Sequence, residues 1–384
     1  MRSLRTFSVV GCHAEGEVGD VIVGGVLDAP PSCKTMYEKM MYFWTQRDGI
    51  RRMLLQEPRG RSSMCANLIL PPCDPRADAG LIIMESDEYA PMSGSNTICT
   101  ATVLLETGMI PMQEPITRFN LDTAAGLVGV TAECEAGKCK SVAFDNVPSF
   151  VFALDKAIDV PDLGTVSVDI AWGGMMYALV DAGSCGLTIA NPDAYRLIEI
   201  GERIKKAVQK QYVPVYPENP GIRGVTNFVW TQPLETGSDG IKEARNTVVV
   251  SPGRFDRCPC GTGTCARMAV LHARGQLEVG EIFRHKSIIS TEFSNHIRDV
   301  TKVGEYDAFS QQSKAEAGSP ASSKSCWTRP TRFRRASGLA ISGICQPSLD
   351  SEYLGSQRPK RSITYHYDAA RGNVPSLLKH ELLQ

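Results

Sequence analysis

The chain has 384 residues, enough for two domains with real cores, and at 42% hydrophobic and 22% charged it has the composition of an ordinary soluble globular protein. A formal net charge of −1 calls for neither nucleic acid nor a membrane surface as partner. The longest apolar runs are strand-length, far below the roughly 20 residues that span a bilayer.

The opening text MRSLRTFSVVGCHAEGE carries only a brief apolar stretch before Glu15, which predicts a first strand rather than a signal peptide. With thirteen cysteines, an odd number in no framework spacing, the expectation is reduced thiols in a cytoplasmic protein. FSVVG and DVIVGGVL alternate strand-like text with glycine over residues 7–30. A helix is expected over about 34–56, broken by Glu57-Pro58-Arg59-Gly60. NLILPP and GLIIME predict strands. PMSGSNTICTATVLLETGMI at 91–110 then reads as a small polar cap, an apolar helix and a terminal glycine. Residues 116–153 are β-rich with turn signals.

The pattern then restarts. VSVDIAWGGMMYALVDA predicts strands, PDAYRLIEIGERIKKAVQKQY a long amphipathic helix, and residues 226–232 and 246–252 further strands. PCGTGTCARMAVLHARGQL at 259–277 repeats the earlier helix start without a gap. Ser93 falls on Cys260, Gly94 on Gly261, Ser95 on Thr262, Thr97 on Thr264, and Gly108 on Gly275. Strand–strand–helix–strands–short helix–strands occurs twice, which predicts a duplicated α/β unit.

Two halves related in this way can point two helix N-termini into one cleft, each offering unpaired N–H groups and a partial positive end to a carboxylate. Cys260 would stand at one such end, where a thiol's pKa is lowered, and Ser93 opposite it. Two small acid/base side chains on opposite faces of one carbon suit inversion of a stereocentre, with backbone donors holding the enolate-like charge and no cofactor required. Taken singly, Ser93 is equally well an N-cap and Cys260 a small buried hydrophobe. Gly261-Thr262-Gly263-Thr264 resembles a phosphate cradle but lacks a following lysine. Cys258, Cys260, Cys265 and His272 have no second pair to complete a zinc site, so no metal is expected.

These residues resemble the proline racemase family, which includes proline racemases, 4-hydroxyproline 2-epimerases and trans-3-hydroxy-L-proline dehydratases. The matching text is Cys12-His13-Ala14-Glu15-Gly16-Glu17 with VIVGG, EPRG at 57–60, MSGSNT at 92–97, and FDRCPCGTGTCARMAVLHARGQL at 255–277. The resemblance implies the diaminopimelate epimerase fold: two pseudo-symmetric α/β halves, each a mixed sheet wrapped around a central helix, with the cleft between them. Expected boundaries are 1–155 for the first half, 156–289 for the second, about 290–309 returning to the first, and 310–384 as an atypical tail. The implied partner is a small molecule, hydroxyproline or proline, and family members that are often dimers raise a homodimer as an expectation.

In the family the first motif usually reads Met-Cys-Gly-His, its cysteine being one of two catalytic bases. Here that position is Ser93, and Ser95 replaces the histidine. By resemblance Cys260 is the other base, Gly94, Ser95, Gly261 and Thr262 bind substrate, and Asp256 binds the ring nitrogen. Dehydratases typically keep the first cysteine and carry threonine at the second, an arrangement this chain lacks. A serine hydroxyl is a far weaker acid than a thiol, so Cys260 is the better base and Ser93 the better donor. The expected activity is a slow or direction-biased hydroxyproline epimerase. The alternatives are a dehydratase, a proline racemase, or an inactive member that binds cyclic imino acids.

Residues 310–384 hold 13 serines and 11 basic against 5 acidic side chains, net +6, where the first 309 residues carry 30 basic and 37 acidic, net −7. Trp327-Thr328-Arg329-Pro330-Thr331-Arg332-Phe333-Arg334-Arg335 is similar to family C-terminal text read one nucleotide late, so a frameshift near Phe309 is expected. Losing the usual segment would leave an unpaired sheet edge in the first half.

Overall fold

Turns at glycine and aspartate cut the β-rich text into strands, and in the computed structural model their pairing is continuous. The structure describes residues 6–251, 253–318 and 331–332; most of the basic, serine-rich tail lies outside the described residues. In the first half Glu17–Gly24 runs parallel to Met64–Leu70, which is antiparallel to Ala79–Met84, itself parallel to Ile116–Thr123. Gly126–Glu135 and the start of Lys138–Val160 follow antiparallel. In the second half Met176–Asp181 runs parallel to Asn227–Thr231, which is antiparallel to Lys242–Val250, itself parallel to Ile282–Lys286. Glu292–Val303 and Tyr306–Gly318 follow antiparallel. The order of parallel and antiparallel pairings is the same in both halves.

Two strands belong to both. Lys138–Val160 leaves Gly126–Glu135 and continues into pairing with Gly164–Trp172. Tyr306–Gly318 lies along Lys138–Val160 and ends, at Ala317 and Gly318, against Ala14 and His13. Each half therefore closes its sheet into a ring that leaves no free edge within it.

Inside the rings lie the two central helices. Met36–Gln46 (α1), Gly49–Leu55 (α2) and Ala194–Gln211 (α4) pack outside; Gly94–Glu106 (α3) and Gly261–Ala273 (α5) are 13 residues each. Every residue of α3 from Gly94 to Leu105 is buried, as is α5 but for Arg267, His272 and Ala273. Helices without a polar face need a core on all sides, and one apolar cluster holds Ile98, Val103 and Leu104 together with Met268, Val270 and Leu271. By contrast α4 is one-sided: Leu197, Ile204 and Val208 pack on Phe228 and Trp230. Among the described residues no helix is long and apolar enough to cross a membrane.

Three expectations are corrected. The single helix expected over 34–56 is α1 and α2. Thr35 and Glu38 form a capping box that starts α1 at Met36, and Arg47 leaves helical geometry at φ −133°. Gly49 is a weak helix former, and Asp48 turns its carboxylate onto Arg51 and Arg52, each at 2.7 Å. Next, the boundary between residues 155 and 156 falls within the strand Lys138–Val160, because that strand serves both sheets. Lastly, the return to the first half is made by Tyr306–Gly318, not by 290–309, so the tail boundary at 310 also falls inside a strand. The polar composition there hid an interior strand: Gln311 and Ser313 are fully buried, and Gln311 Nε2 donates to Val147 O at 3.1 Å and Ser149 Oγ at 2.9 Å. The edge expected to stand open is paired at Ala317 and Gly318.

Candidate active site

The two central helices meet at their N-termini. A Cβ on Gly94 would lie 2.6 Å from Gly261 Cα, and one on Gly261 would lie 2.5 Å from Gly94 Cα, with the Phe144 ring closing the same space. No side chain fits either position, which is why glycine opens both helices. The residue before each glycine is the N-cap, Ser93 for α3 and Cys260 for α5. Both side chains reach one narrow cavity between the halves, which Ser95, Asp256 and Thr262 also line.

Cys260 sits at φ +65°, a left-handed conformation that costs a non-glycine residue energy and is held by its surroundings. Asn246 Nδ2 donates to Pro259 O at 2.9 Å, and Thr264 Oγ1 donates to the same carbonyl at 3.3 Å. Thr264 Oγ1 also lies 2.8 Å from His285 Nδ1, and burial pushes that imidazole down to about 3. The sulfur accepts the Gly263 N–H at 3.4 Å, and the Tyr177 hydroxyl lies 3.4 Å from it. Tyr177 is in turn 2.6 Å from Thr262 Oγ1.

The lowered thiol pKa expected at a helix N-terminus is corrected. Burial raises the Cys260 thiol well above its ordinary value, the Asp256 carboxylate raises it further, and the Tyr177 and Gly263 donors only partly oppose them. Loss of solvent outweighs the helix dipole in a site this enclosed.

Ser93 stands at the N-cap position but does not cap: its hydroxyl makes no bond to the first-turn backbone of α3. Instead Ser93 Oγ accepts from Asn96 Nδ2 at 2.9 Å, and Asn96 Oδ1 accepts from Asn67 Nδ2 at 2.8 Å. Ser95 Oγ lies 3.5 Å from Ser93 Oγ. With its oxygen already accepting, Ser93 has its own proton to give. Among the described residues no lysine or histidine lines the cavity to take that proton away.

Arg254 anchors the acidic side. Its Nη1 donates to Asp256 at 3.1 Å and Glu17 at 3.0 Å, and its Nη2 to Glu85 at 3.3 Å. Glu17 arrives from the motif HAEGE: Glu15 and Gly16, both at positive φ, form the two-residue loop of a hairpin that pairs Ala14 with Glu17. Glu17 then accepts the Arg257 N–H at 2.8 Å, which ties the first motif to FDRCPCGTGT.

All seven residues singled out from the sequence, Ser93, Gly94, Ser95, Asp256, Cys260, Gly261 and Thr262, thus stand at the cavity or at the helix contact behind it. Sequence reasoning missed Tyr177, Asn96, Glu17 and Arg254. The last three lie inside or beside motifs already quoted, while Tyr177 sits in ordinary strand text. Among the described residues no group of three or more His, Cys, Asp and Glu is placed to hold a metal ion. His272 Nδ1 bonds instead with Leu277 O at 2.8 Å.

The family described as proline racemase matches residues 9–319. A solved hydroxyproline epimerase from Agrobacterium vitis, with bound trans-4-hydroxy-L-proline, is 40% identical with a TM-score of 0.77, covering 83% of this chain and 91% of its own. A probable proline racemase from Agrobacterium radiobacter K84, with bound carbonate, is 40% identical with a TM-score of 0.76, covering 81% of this chain and 90% of its own.

Proposed function

The chain belongs to the proline racemase family and is an amino-acid racemase or epimerase acting on a proline derivative; on that premise we propose that it is a 4-hydroxyproline 2-epimerase working by two-base proton transfer. The observation that carries this is the placement of Ser93 and Cys260 at the tips of two helices in contact, facing one cavity. The hydroxyproline bound in the Agrobacterium vitis relative supports the choice of ring.

The substrate carboxylate takes first-turn N–H groups of α3 and α5, around Gly94-Ser95 and Gly261-Thr262; those of α3 are left uncapped by Ser93. Its ring ammonium faces Asp256. That pairing cancels the anion's field on the sulfur, one of the two effects holding the proton on Cys260. Cys260 as thiolate removes the Cα proton, and the helix N-termini stabilise the enolate-like carboxylate. Ser93, polarised by Asn96, delivers a proton to the opposite face. Since among the described residues only Ser95 and Asn96 bond the Ser93 hydroxyl, and neither is a base, the direction in which Cys260 abstracts is the faster one.

A dehydratase is the second reading, and one observation favours it: a serine that is donor only is equally suited to protonating a leaving hydroxyl at C3. Incubation with each hydroxyproline isomer in D₂O separates the two. Deuterium at Cα with the ring hydroxyl kept identifies an epimerase, whereas loss of water to a pyrroline carboxylate identifies a lyase.

A further inference from the structure

Among the described residues, the carboxylates at the cavity outnumber the cations that pair with them. Three carboxylates, Glu17, Glu85 and Asp256, share the guanidinium of Arg254, and all four residues are buried. Three negative charges on one positive charge, away from water, leave an anionic excess that needs either bound protons or another cation. A second observation points the same way: Asn227, 2% exposed and lining the same cavity, has an Oδ1 without a partner among the described residues.

The arrangement of Glu17 and Asp256 is specific. Both accept from Arg254 Nη1, at 3.0 and 3.1 Å, so their oxygens converge on one nitrogen. Two oxygens that share one nitrogen are close enough to share a second on their cavity side. A cyclic imino acid is a secondary ammonium with two N–H donors at tetrahedral angles, and each needs its own acceptor once water is excluded.

We propose that Glu17 is a second substrate-binding carboxylate, taking one N–H of the ring ammonium while Asp256 takes the other. The assignment rests on the reading above that a proline derivative binds here. It gives Glu17 and its hairpin a function beyond closing the first ring, and it makes the charged ring nitrogen, not the carboxylate alone, a condition of tight binding.

The proposal has a proton count. In the free protein burial and the Asp256 charge raise Glu17 to about 8, against the pull of Arg254 and the Arg257 N–H and with a further push from Glu85. The other titratable groups beside it are Cys65, whose sulfur accepts from Arg254 Nη2 at 3.7 Å, Cys258 and Cys260. Behind Glu85 stand Glu88 and Lys205. Near neutral pH Glu17 is therefore protonated when the site is empty. An arriving ammonium displaces that proton to solvent, and the charge of the site is conserved.

The test is titration calorimetry of trans-4-hydroxy-L-proline at pH 7 in buffers of different ionisation enthalpy, on wild type and Glu17→Gln, alongside Cα-deuterium exchange. Glu17→Gln should release about one proton fewer on binding and raise KM about tenfold or more, with kcat held within about threefold. An unchanged proton count together with an unchanged KM overturns the assignment, and so does a fall in kcat alone, the mark of a merely structural role. Wild type that neither binds nor exchanges hydroxyproline would instead refute the functional reading beneath it. If Glu17→Gln does not fold, wild type decides against tetrahydrofuran-2-carboxylate, whose ring oxygen replaces the ammonium. Binding of the ether with about one proton fewer released supports the proposal. Equal release refutes it, whatever the affinity.

Discussion

Replacing Tyr177 by phenylalanine removes one hydroxyl from a buried site and leaves the ring in place. That hydroxyl lies 3.4 Å from Cys260 Sγ and 2.6 Å from Thr262 Oγ1, and it is one of two donors that favour the thiolate. Hydrogen bonds to charged groups are worth about 1.5–3 kcal/mol, and a long bond to sulfur that is shared with threonine belongs at the lower end. About 1.5 kcal/mol raises the thiol pKa by about one unit, since one unit is about 1.4 kcal/mol. Thr262 Oγ1 stays 3.8 Å from the sulfur, too far to replace the lost donor fully. The assay is the initial rate of Cα-deuterium exchange between about pH 6 and 10. In Tyr177→Phe the rising limb should move up by about one pH unit, with rates on that limb about tenfold lower. A uniformly slower enzyme with the limb unmoved would refute the view that Tyr177 acts on the thiol's ionisation.

Gly261→Ala should fail to hold the helices together: its Cβ would meet Gly94 Cα at 2.5 Å, so we expect about 1–3 kcal/mol of destabilisation in urea and loss of exchange activity. Ser93→Cys should speed the slow direction and narrow the difference between forward and reverse rates, as followed by polarimetry from each epimer. His285, neutral in the fold down to about 3, opposes folding as pH drops, because the unfolded chain takes up its proton first. Stability should therefore fall between about pH 6.5 and 3, by on the order of 1.4 kcal/mol per unit, and His285→Asn should flatten that slope in urea titrations. The change of reading frame expected near Phe309 is tested by sequencing the gene across that codon: an intact frame matching this protein in independent isolates would refute it.

How much of this was legible in the text depends on where each residue's neighbours come from. The central helices were plain because cap, apolar run and terminal glycine are local signals, and their two copies could be laid side by side. That glycine must open each of them was not: its reason is the other helix, 167 residues away in the chain. The break between α1 and α2 was missed because the apolar period continues across Arg47 and Asp48 while the backbone does not. Residues 310–318 looked like solvated tail, since Gln and Ser are usually exposed. Burial of Gln311 is satisfied only by Val147 and Ser149, on the neighbouring strand. The direction of the Cys260 shift was misjudged for a similar reason. A helix tip is visible in sequence, whereas the carboxylate beside it and the exclusion of water are properties of the assembled cavity.

The most direct test follows the hydrogen at Cα in D₂O with wild type and Cys260→Ala. If a thiol and a hydroxyl work from opposite faces, wild type places deuterium in the newly formed epimer before it appears in the recovered substrate, and Cys260→Ala incorporates none. Deuterium accumulating first in unconverted substrate, or exchange surviving the loss of the sulfur, would contradict that account.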